Sequence, residues 1–497
     1  MKMKFTLKSL VIALGLISST VAFAQEEKVD TLNVHEQRIT SLEDGIFQMK
    51  KLKFSGYVQS EWQMSQIDVN GNASQDMKVG AGSNAAEKAN AITNPGATFN
   101  RFGVRRGRLK ATYTDNGCTG VVYIDATEKG VVLKEAYVAA LDPWAGILTL
   151  KGGIFNKPFG YEIEYSSSSR ETPERSRVIQ TLFPNERDLG GMITLQAPKG
   201  TPWNVLKLDL GLLAGNAIGL DSKSKKDLVA HLSYTNSTPT FKYGIGASMY
   251  NGYVLQPSRN VYSIVNNVFK ADSTLTNKNG FANKQYFGFD GQFSIATPAG
   301  LTTIRGEYLF GTQPGSSSST KSNDFSISPA ANPTTTTTST LGSDGKTITS
   351  TSTTVTVPSA VITGDAFLRK FTGGYIQLSQ DIADTKHTIS VKYDFYDPNA
   401  GISKDNIGAA LTADQKAENT AASAAKRPTT YVATNKADIA YSTIGFGYMY
   451  RMNNNIKFMV YYDMPLNETS AALTTSGSNF TKALAANLLT VRMQYKF

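Results

Sequence analysis

Arg106, Arg108 and Lys110 occupy alternate positions of one short segment. In an extended chain that spacing places all three cations on one face. Ladders of arginine and lysine stabilise anions in pores. No bond-making constellation accompanies them. The three histidines, His35, His231 and His387, are scattered, and none has a second ligand at metal spacing. No nucleophile elbow, glycine-rich phosphate loop or zinc motif occurs. The sequence therefore points to non-covalent handling of charged solutes, not to an enzyme, and asks for no cofactor or metal. Nothing in it nominates nucleic acid as a partner.

The elements that must position those cations are strands. In the terminal segment Asn487–Phe497 one parity is apolar: Leu489, Val491, Met493, Tyr495 and Phe497. The other parity, Thr490, Arg492, Gln494 and Lys496, is polar. A two-residue period ending on an aromatic carboxy-terminal residue is the mark of a strand delivered to the bacterial outer membrane. Sixteen such segments are expected: 53–65, 101–114, 119–128, 131–140, 147–156, 188–197, 204–214, 226–236, 240–250, 283–295, 301–311, 369–380, 387–397, 438–450, 455–463 and 487–497. Strands of about ten residues, tilted near 45°, cross an outer membrane. Short turns alternate with long connections for most of the chain, which fits short periplasmic turns and long outer loops. The fold class expected is all-β: a sixteen-stranded antiparallel transmembrane β-barrel with a short N-terminal helical, coiled-coil-like segment.

The amino terminus supports export. Lys2, Lys4 and Lys8 precede an apolar stretch from Leu10 to Phe23, and Ala22-Phe23-Ala24 is a small-x-small cleavage site. The expected organisation is a signal peptide over 1–24, a periplasmic helix over 25–52 and a barrel over 53–497. Leu32, Ile39 and Ile46 fall seven apart, with Leu42 and Met49 at matching positions, so three copies could share a short coiled coil. Removing the three leader lysines from the formal charge of +10 leaves +7, a modest basic balance. Residues 312–368 hold runs of serine and threonine that cannot bury a core, as in a mobile outer loop.

Parity divides each strand into a lipid face and a lumen face. Lipid-facing positions include Leu109, Leu206, Leu208, Leu210, Leu212, Ile389, Val391, Phe446 and Tyr448. Lumen-facing cations include Arg106, Arg108, Lys110, Lys151, Lys207, Lys242, Arg305, Lys392, Lys457, Arg492 and Lys496. Lumen-facing acids include Glu61, Asp125, Glu135, Asp209, Asp290, Glu307, Asp394 and Asp463. Two readings of these charges stand side by side. One is an anion path, for which the Arg106/Arg108/Lys110 stripe is the best example. The other is a salt-bridge lattice along the wall, suggested by Arg305/Glu307 and Lys392/Asp394, each two apart on one face.

The stretch Asn100-Arg-Phe-Gly-Val-Arg-Arg-Gly-Arg-Leu-Lys110 resembles the arginine-rich strand of the phosphate-selective porin O and P family. Leu133-Lys-Glu-Ala-Tyr-Val138 and Leu150-Lys-Gly-Gly-Ile-Phe-Asn-Lys-Pro-Phe-Gly160 are similar to later segments of that family, as are Arg187-Asp-Leu-Gly190 and Lys392-Tyr-Asp-Phe-Tyr-Asp-Pro-Asn399. The match is patchy and clearest over 100–200. The resemblance implies a homotrimeric sixteen-stranded porin of the Gram-negative outer membrane, set in its lipid, whose third outer loop folds inward and narrows the channel. Here that loop is 157–187. It carries Lys157, Arg170, Arg175, Arg177 and Arg187, and guanidinium groups bind phosphate-like anions by bidentate hydrogen bonds. Glu162, Glu164, Glu171, Glu174, Glu186 and Asp188 offset them, a departure from a purely basic constriction. The anion pathway is expected at Arg106, Arg108, Lys110, Lys151, Arg170, Arg175, Arg177 and Arg187, with Arg108, Arg175 and Arg177 in anion contact. The function expected is passive diffusion of small hydrophilic solutes, anions such as phosphate preferred. The alternative is a surface adhesin or glycan-binding barrel with an occluded lumen.

Overall fold

The computed structural model describes residues 51–66, 99–184, 186–219, 221, 223–256, 258–320, 338–341, 348–351, 364–402, 404–475, 479–484 and 486–497. The leader and the expected coiled-coil helix lie outside the described residues.

Sixteen strands form one closed antiparallel ladder. The first eight are β1 (Leu52–Ser65), β2 (Phe99–Asp115), β3 (Cys118–Thr127), β4 (Gly130–Leu141), β5 (Leu148–Asn156), β6 (Arg187–Gln196), β7 (Leu206–Leu213) and β8 (Asp227–Ser237). The second eight are β9 (Phe241–Leu255), β10 (Phe281–Thr297), β11 (Gly300–Gly315), β12 (Ala366–Asp381), β13 (His387–Asp397), β14 (Tyr441–Arg451), β15 (Ile456–Asn467) and β16 (Leu488–Lys496). Each pairs with the next, and β16 returns to β1 with Tyr57 opposite Lys496 and Ser65 opposite Leu488. Gly56 and Phe497 exchange backbone hydrogen bonds of 3.0 Å each way, so the carboxy-terminal residue helps fasten the seam. Closure matters because hydrocarbon offers no partner to an unpaired strand edge.

The strands alternate as the period requires. Leu109, Leu212, Ile245, Ile389, Phe446 and Tyr448 are exposed on the outside, while Gln59, Glu61, Arg108, Lys392 and Arg492 are buried inside. An apolar exterior around a closed ladder is a membrane-spanning surface, and such barrels occupy the bacterial outer membrane. Short turns gather at one end. Asn116 and Gly117 both take positive φ, 45° and 77°, between β2 and β3. That is the two-residue hairpin geometry whose twist matches its flanking strands.

The connection between β3 and β4, expected as two residues, is Glu128 and Lys129. The structure departs from the expected layout in two places. The stretch 251–282, expected as loop, extends β9 to Leu255 and then forms a hairpin, Val261–Val265 with Val268–Asp272. That hairpin pairs in turn with the start of β12 and with Tyr431–Val432. The expected loop 398–437 also holds a helix, Ala413–Ala424, whose amino end is fixed by a capping box between Thr412 and Gln415.

The interior is not uniformly polar. Residues 157–184, between β5 and β6, fold into the barrel and bring an apolar core with them. Phe159, Ile163, Val178, Ile179, Leu182 and Phe183 from this loop pack with Met192, Leu213, Val229, Tyr250, Tyr286 and Phe371 from the wall. A short helix, α1 (Arg177–Leu182), presents Val178, Ile179 and Leu182 to that core. Gly373 on β12 lets the helix come this close, since a Cβ there would sit 2.7 Å from Val178 Cγ2. Fully burying an aliphatic or aromatic side chain is worth about 1.5–3 kcal/mol, so this core holds the loop to the β6–β13 side of the lumen.

Candidate functional site

Polar contacts fix the rest of the loop. Lys392 Nζ on β13 donates to Glu162 Oε1 at 2.9 Å. Arg305 Nη1 on β11 donates to Glu171 Oε2 at 2.9 Å, and Gln377 on β12 reaches the same carboxylate at 3.1 Å. Arg105 and Arg106, consecutive on β2, both donate to Glu174, over 2.8–3.0 Å. Glu307 accepts the backbone N–H of Tyr161 at 3.0 Å and that of Glu162. Lys457 Nζ and Gln494 Nε2 donate to the Ser168 carbonyl at 2.7 and 3.1 Å. The expected pairs along one strand, Arg305/Glu307 and Lys392/Asp394, are not the partners chosen: each cation reaches across to a loop glutamate instead. The loop's acidic residues therefore anchor it to a basic wall.

What the loop leaves open is a cavity of about 440 Å³ against the inner face of β1 to β6. Its cations are Arg108 and Lys110 from β2, Lys151 from β5, Arg187 from β6, Lys496 from β16 and Arg175 from the loop. Its acids are Glu135 and Glu164. Arg108 Nε contacts Asp125 at 3.3 Å, and Arg187 Nη2 contacts Glu135 at 3.0 Å. Among the described residues Lys110 and Lys151 have no carboxylate within 4.0 Å. Their ammonium groups stand instead over rings: Lys110 over Tyr123 at 5.8 Å, Lys151 over Tyr137 at 5.0 Å and Phe155 at 5.5 Å. Arg108 lies over Tyr123 at 5.5 Å. The arrangement leaves positive charge facing water, which is what attracts an anion.

The eight expected site residues thus separate. Arg108, Lys110, Lys151, Arg175 and Arg187 meet at the cavity. Arg106 donates to Gln59 Oε1 at 2.9 Å and to Glu174, and serves as a loop anchor. Arg170 is buried, and among the described residues none of its guanidinium nitrogens has a hydrogen-bond partner. Arg175 bonds the carbonyls of Glu162 at 2.8 Å and Ile163 at 3.0 Å, and pairs with Glu186, so its guanidinium is largely engaged within the loop. Arg177 lies in a separate, smaller cleft shared with Gln63, Asp394 and Asp463, over the Tyr441 ring at 4.6 Å.

Two cations escaped parity. Arg105 is out of phase with the stripe, yet it shares Glu174 with its neighbour Arg106. Lys134 is the extra residue of a bulge, because Tyr123 pairs with Glu135 and Ile124 with Leu133. Its charge interacts with Arg108 and Arg187. The tyrosine shelf was also missed: Tyr123 and Tyr137 occupy lumen parity on β3 and β4, a signal legible once those strands are phased.

No protein-family model and no curated protein matches the sequence. The architecture is a closed sixteen-stranded antiparallel β-barrel. Among solved structures, the chain is similar to OprB of Pseudomonas putida, at 9% identity and a TM-score of 0.47, over 96% of this chain and 100% of that one. It is similar to the outer membrane channel DcaP of Acinetobacter baumannii, at 11% identity and a TM-score of 0.46, over 90% and 97% of the two chains. It is also similar to the trimer form of OmpT of Vibrio cholerae, at 9% identity and a TM-score of 0.43, over 90% and 99%. The fold rests on the closed strand ladder itself.

Proposed function

We propose that this barrel is a passive diffusion channel for small hydrophilic solutes that prefers anions, phosphate among them. The observation that carries the reading is the cavity beside the inward loop, whose lining holds six cations and two acids and where, among the described residues, Lys110 and Lys151 have no carboxylate within 4.0 Å. Solute would move by electrodiffusion, with no bond made or broken. The rival reading, an occluded barrel acting through its outer loops, has no use for an open basic cavity. Purified protein in a planar bilayer under a potassium chloride gradient tests the proposal. The expected result is stable conductance with a reversal potential displaced toward that of chloride. Absence of conductance would overturn the channel, and displacement toward potassium would overturn the anion preference.

The same reading includes a homotrimer. The outward positions of β3 to β7 carry no aromatic ring: they include Gly120, Val122, Ala136, Val138, Leu150, Gly152, Gly191 and Ile193. The outward positions of β13 to β16 carry Tyr393, Phe395, Phe446, Tyr448, Phe458 and Tyr495. Aromatic girdles belong to lipid-facing strands. The ring-free, small-residue face is accordingly assigned to subunit contact.

A further inference from the structure

The cavity holds more than charge. Tyr123 and Tyr137 are half-buried and line it beside Arg108, Lys110 and Lys151. Lys110 and Tyr123 are direct partners in the β2–β3 ladder, so the ring and the ammonium group are fixed side by side. Arg108 stands over the same ring at 5.5 Å, and Lys151 stands over Tyr137 at 5.0 Å. Across the gap the loop contributes Ile163, Tyr165 and the run Ser166–Ser168. A bare inorganic oxyanion would use the cation heads alone and gain nothing from the rings. The volume, about 440 Å³, also exceeds what such an ion fills. It lies within the range of pockets that take small organic ligands.

We infer that the constriction selects anions carrying a planar ring, namely aromatic monocarboxylates, over inorganic oxyanions and short aliphatic carboxylates of the same charge. The carboxylate is received by Lys110, Arg108 or Lys151. The ring lies against Tyr123 or Tyr137 in an offset or edge-to-face contact. Ring and cation together distinguish this class: a neutral aromatic finds no charge to neutralise, and acetate finds no surface to stack on. The inference rests on the channel reading above and names the solute class of the same site.

The test is competition in planar bilayers with the full-length protein. Chloride current is recorded while benzoate, acetate, inorganic phosphate or benzamide is added at constant ionic strength. Benzoate is expected to lower the chloride current at about one-tenth the concentration of acetate, as one added ring contact implies. Benzamide is expected to be weaker than benzoate. Replacing both tyrosines (Tyr123→Leu with Tyr137→Leu) should bring benzoate to within about twofold of acetate. Equal action of benzoate and acetate on the native channel would overturn the inference, as would stronger action by phosphate. The reversal potential, measured in the same membranes, separates the two proposals: an anion-preferring channel that ignores the ring refutes only the solute class. The comparison on the native protein decides the matter even if the tyrosine variant does not assemble.

Discussion

Arg492 on the last strand and Glu61 on the first are direct partners across the seam that closes the barrel, with Arg492 Nε donating to Glu61 Oε2 at 2.8 Å. Both are buried. Arg492 also donates to the Pro173 carbonyl at 2.8 Å and to Glu174 at 3.3 Å, so one side chain fastens the barrel seam and the inward loop together. Breaking a buried ion pair by removing one partner costs about 3–5 kcal/mol. Arg492→Met is therefore expected to lower barrel stability by about 3 kcal/mol, read as a lower temperature for the folded-to-unfolded shift on a detergent gel. Wild-type behaviour would mean that the backbone ladder alone closes the seam.

The cations of the lumen fall into two kinds, and substitution should tell them apart. Lys110 and Lys151 face the cavity with rings beneath them and, among the described residues, no carboxylate within 4.0 Å. Two unit charges about 10 Å apart in water interact by roughly 0.4 kcal/mol, a factor of about two in ion population. Lys110→Gln and Lys151→Gln should each lower the anion-to-cation permeability ratio about twofold, with little effect on the unfolding temperature. Arg175 is the opposite case, since it binds two loop carbonyls and Glu186. Arg175→Met should loosen the loop, seen as noisier and larger unitary currents with the anion preference keeping its sign. If Arg175→Met abolished the preference without added noise, its role as a clamp would be wrong.

Much of this was legible in the sequence, and the misses have physical causes. All sixteen strands could be read from a two-residue period, because a barrel wall with lipid outside and water inside imposes strict alternation. The same rule missed Arg105, and it missed Lys134 because a bulge there shifts the phase and no residue type announces it. The outer hairpin carried a local signal in Asn266 and Asn267, which take φ of 51° and 66° between alternating strands. Asparagine tolerates that conformation, and a pair of them marks a tight turn. The loop's ion partners were not legible. Glu162, Glu171 and Glu174 showed only as acids that diluted a basic segment, and nothing local says that Lys392, Arg305 and Arg105 lie opposite. Those pairings depend on which face of the lumen the apolar residues Phe159, Ile163, Val178 and Ile179 choose.

Asp142 begins the short turn between β4 and β5 and accepts five backbone N–H groups, from Trp144, Ala145, Gly146, Ile147 and Leu148, over 2.6–3.2 Å. These bonds, the one from Leu148 foremost, hold its carboxyl down at about 2. A carboxylate whose folded value lies below its unfolded one stabilises the fold above the unfolded value, about 3.9, and loses that contribution as pH falls through the folded value. Asp142→Asn should therefore exchange the Ile147 and Leu148 amide protons faster than wild type at pH 6. The difference should shrink between about pH 4 and pH 2. A difference constant across that window would show that the turn does not depend on the charge.

Gly120 on β3 and Gly152 on β5 offer a direct test of the subunit face. Both are on outward positions, and a Cβ added at either would meet no atom within 4 Å. A single barrel therefore has room for a large side chain there. A tightly packed neighbour would not, because small residues at a membrane interface allow close approach and overpacking such a contact typically costs about 1–3 kcal/mol. Gly152→Trp should leave the barrel folded and reduce the proposed trimer to monomer in mild detergent, measured by light scattering or sedimentation. The matched change on the aromatic side, Val391→Trp on β13, should leave the assembly intact. If Gly152→Trp stayed trimeric, or Val391→Trp alone dissociated, the contact would lie on the other half of the barrel and the ring-free face would be exposed to lipid.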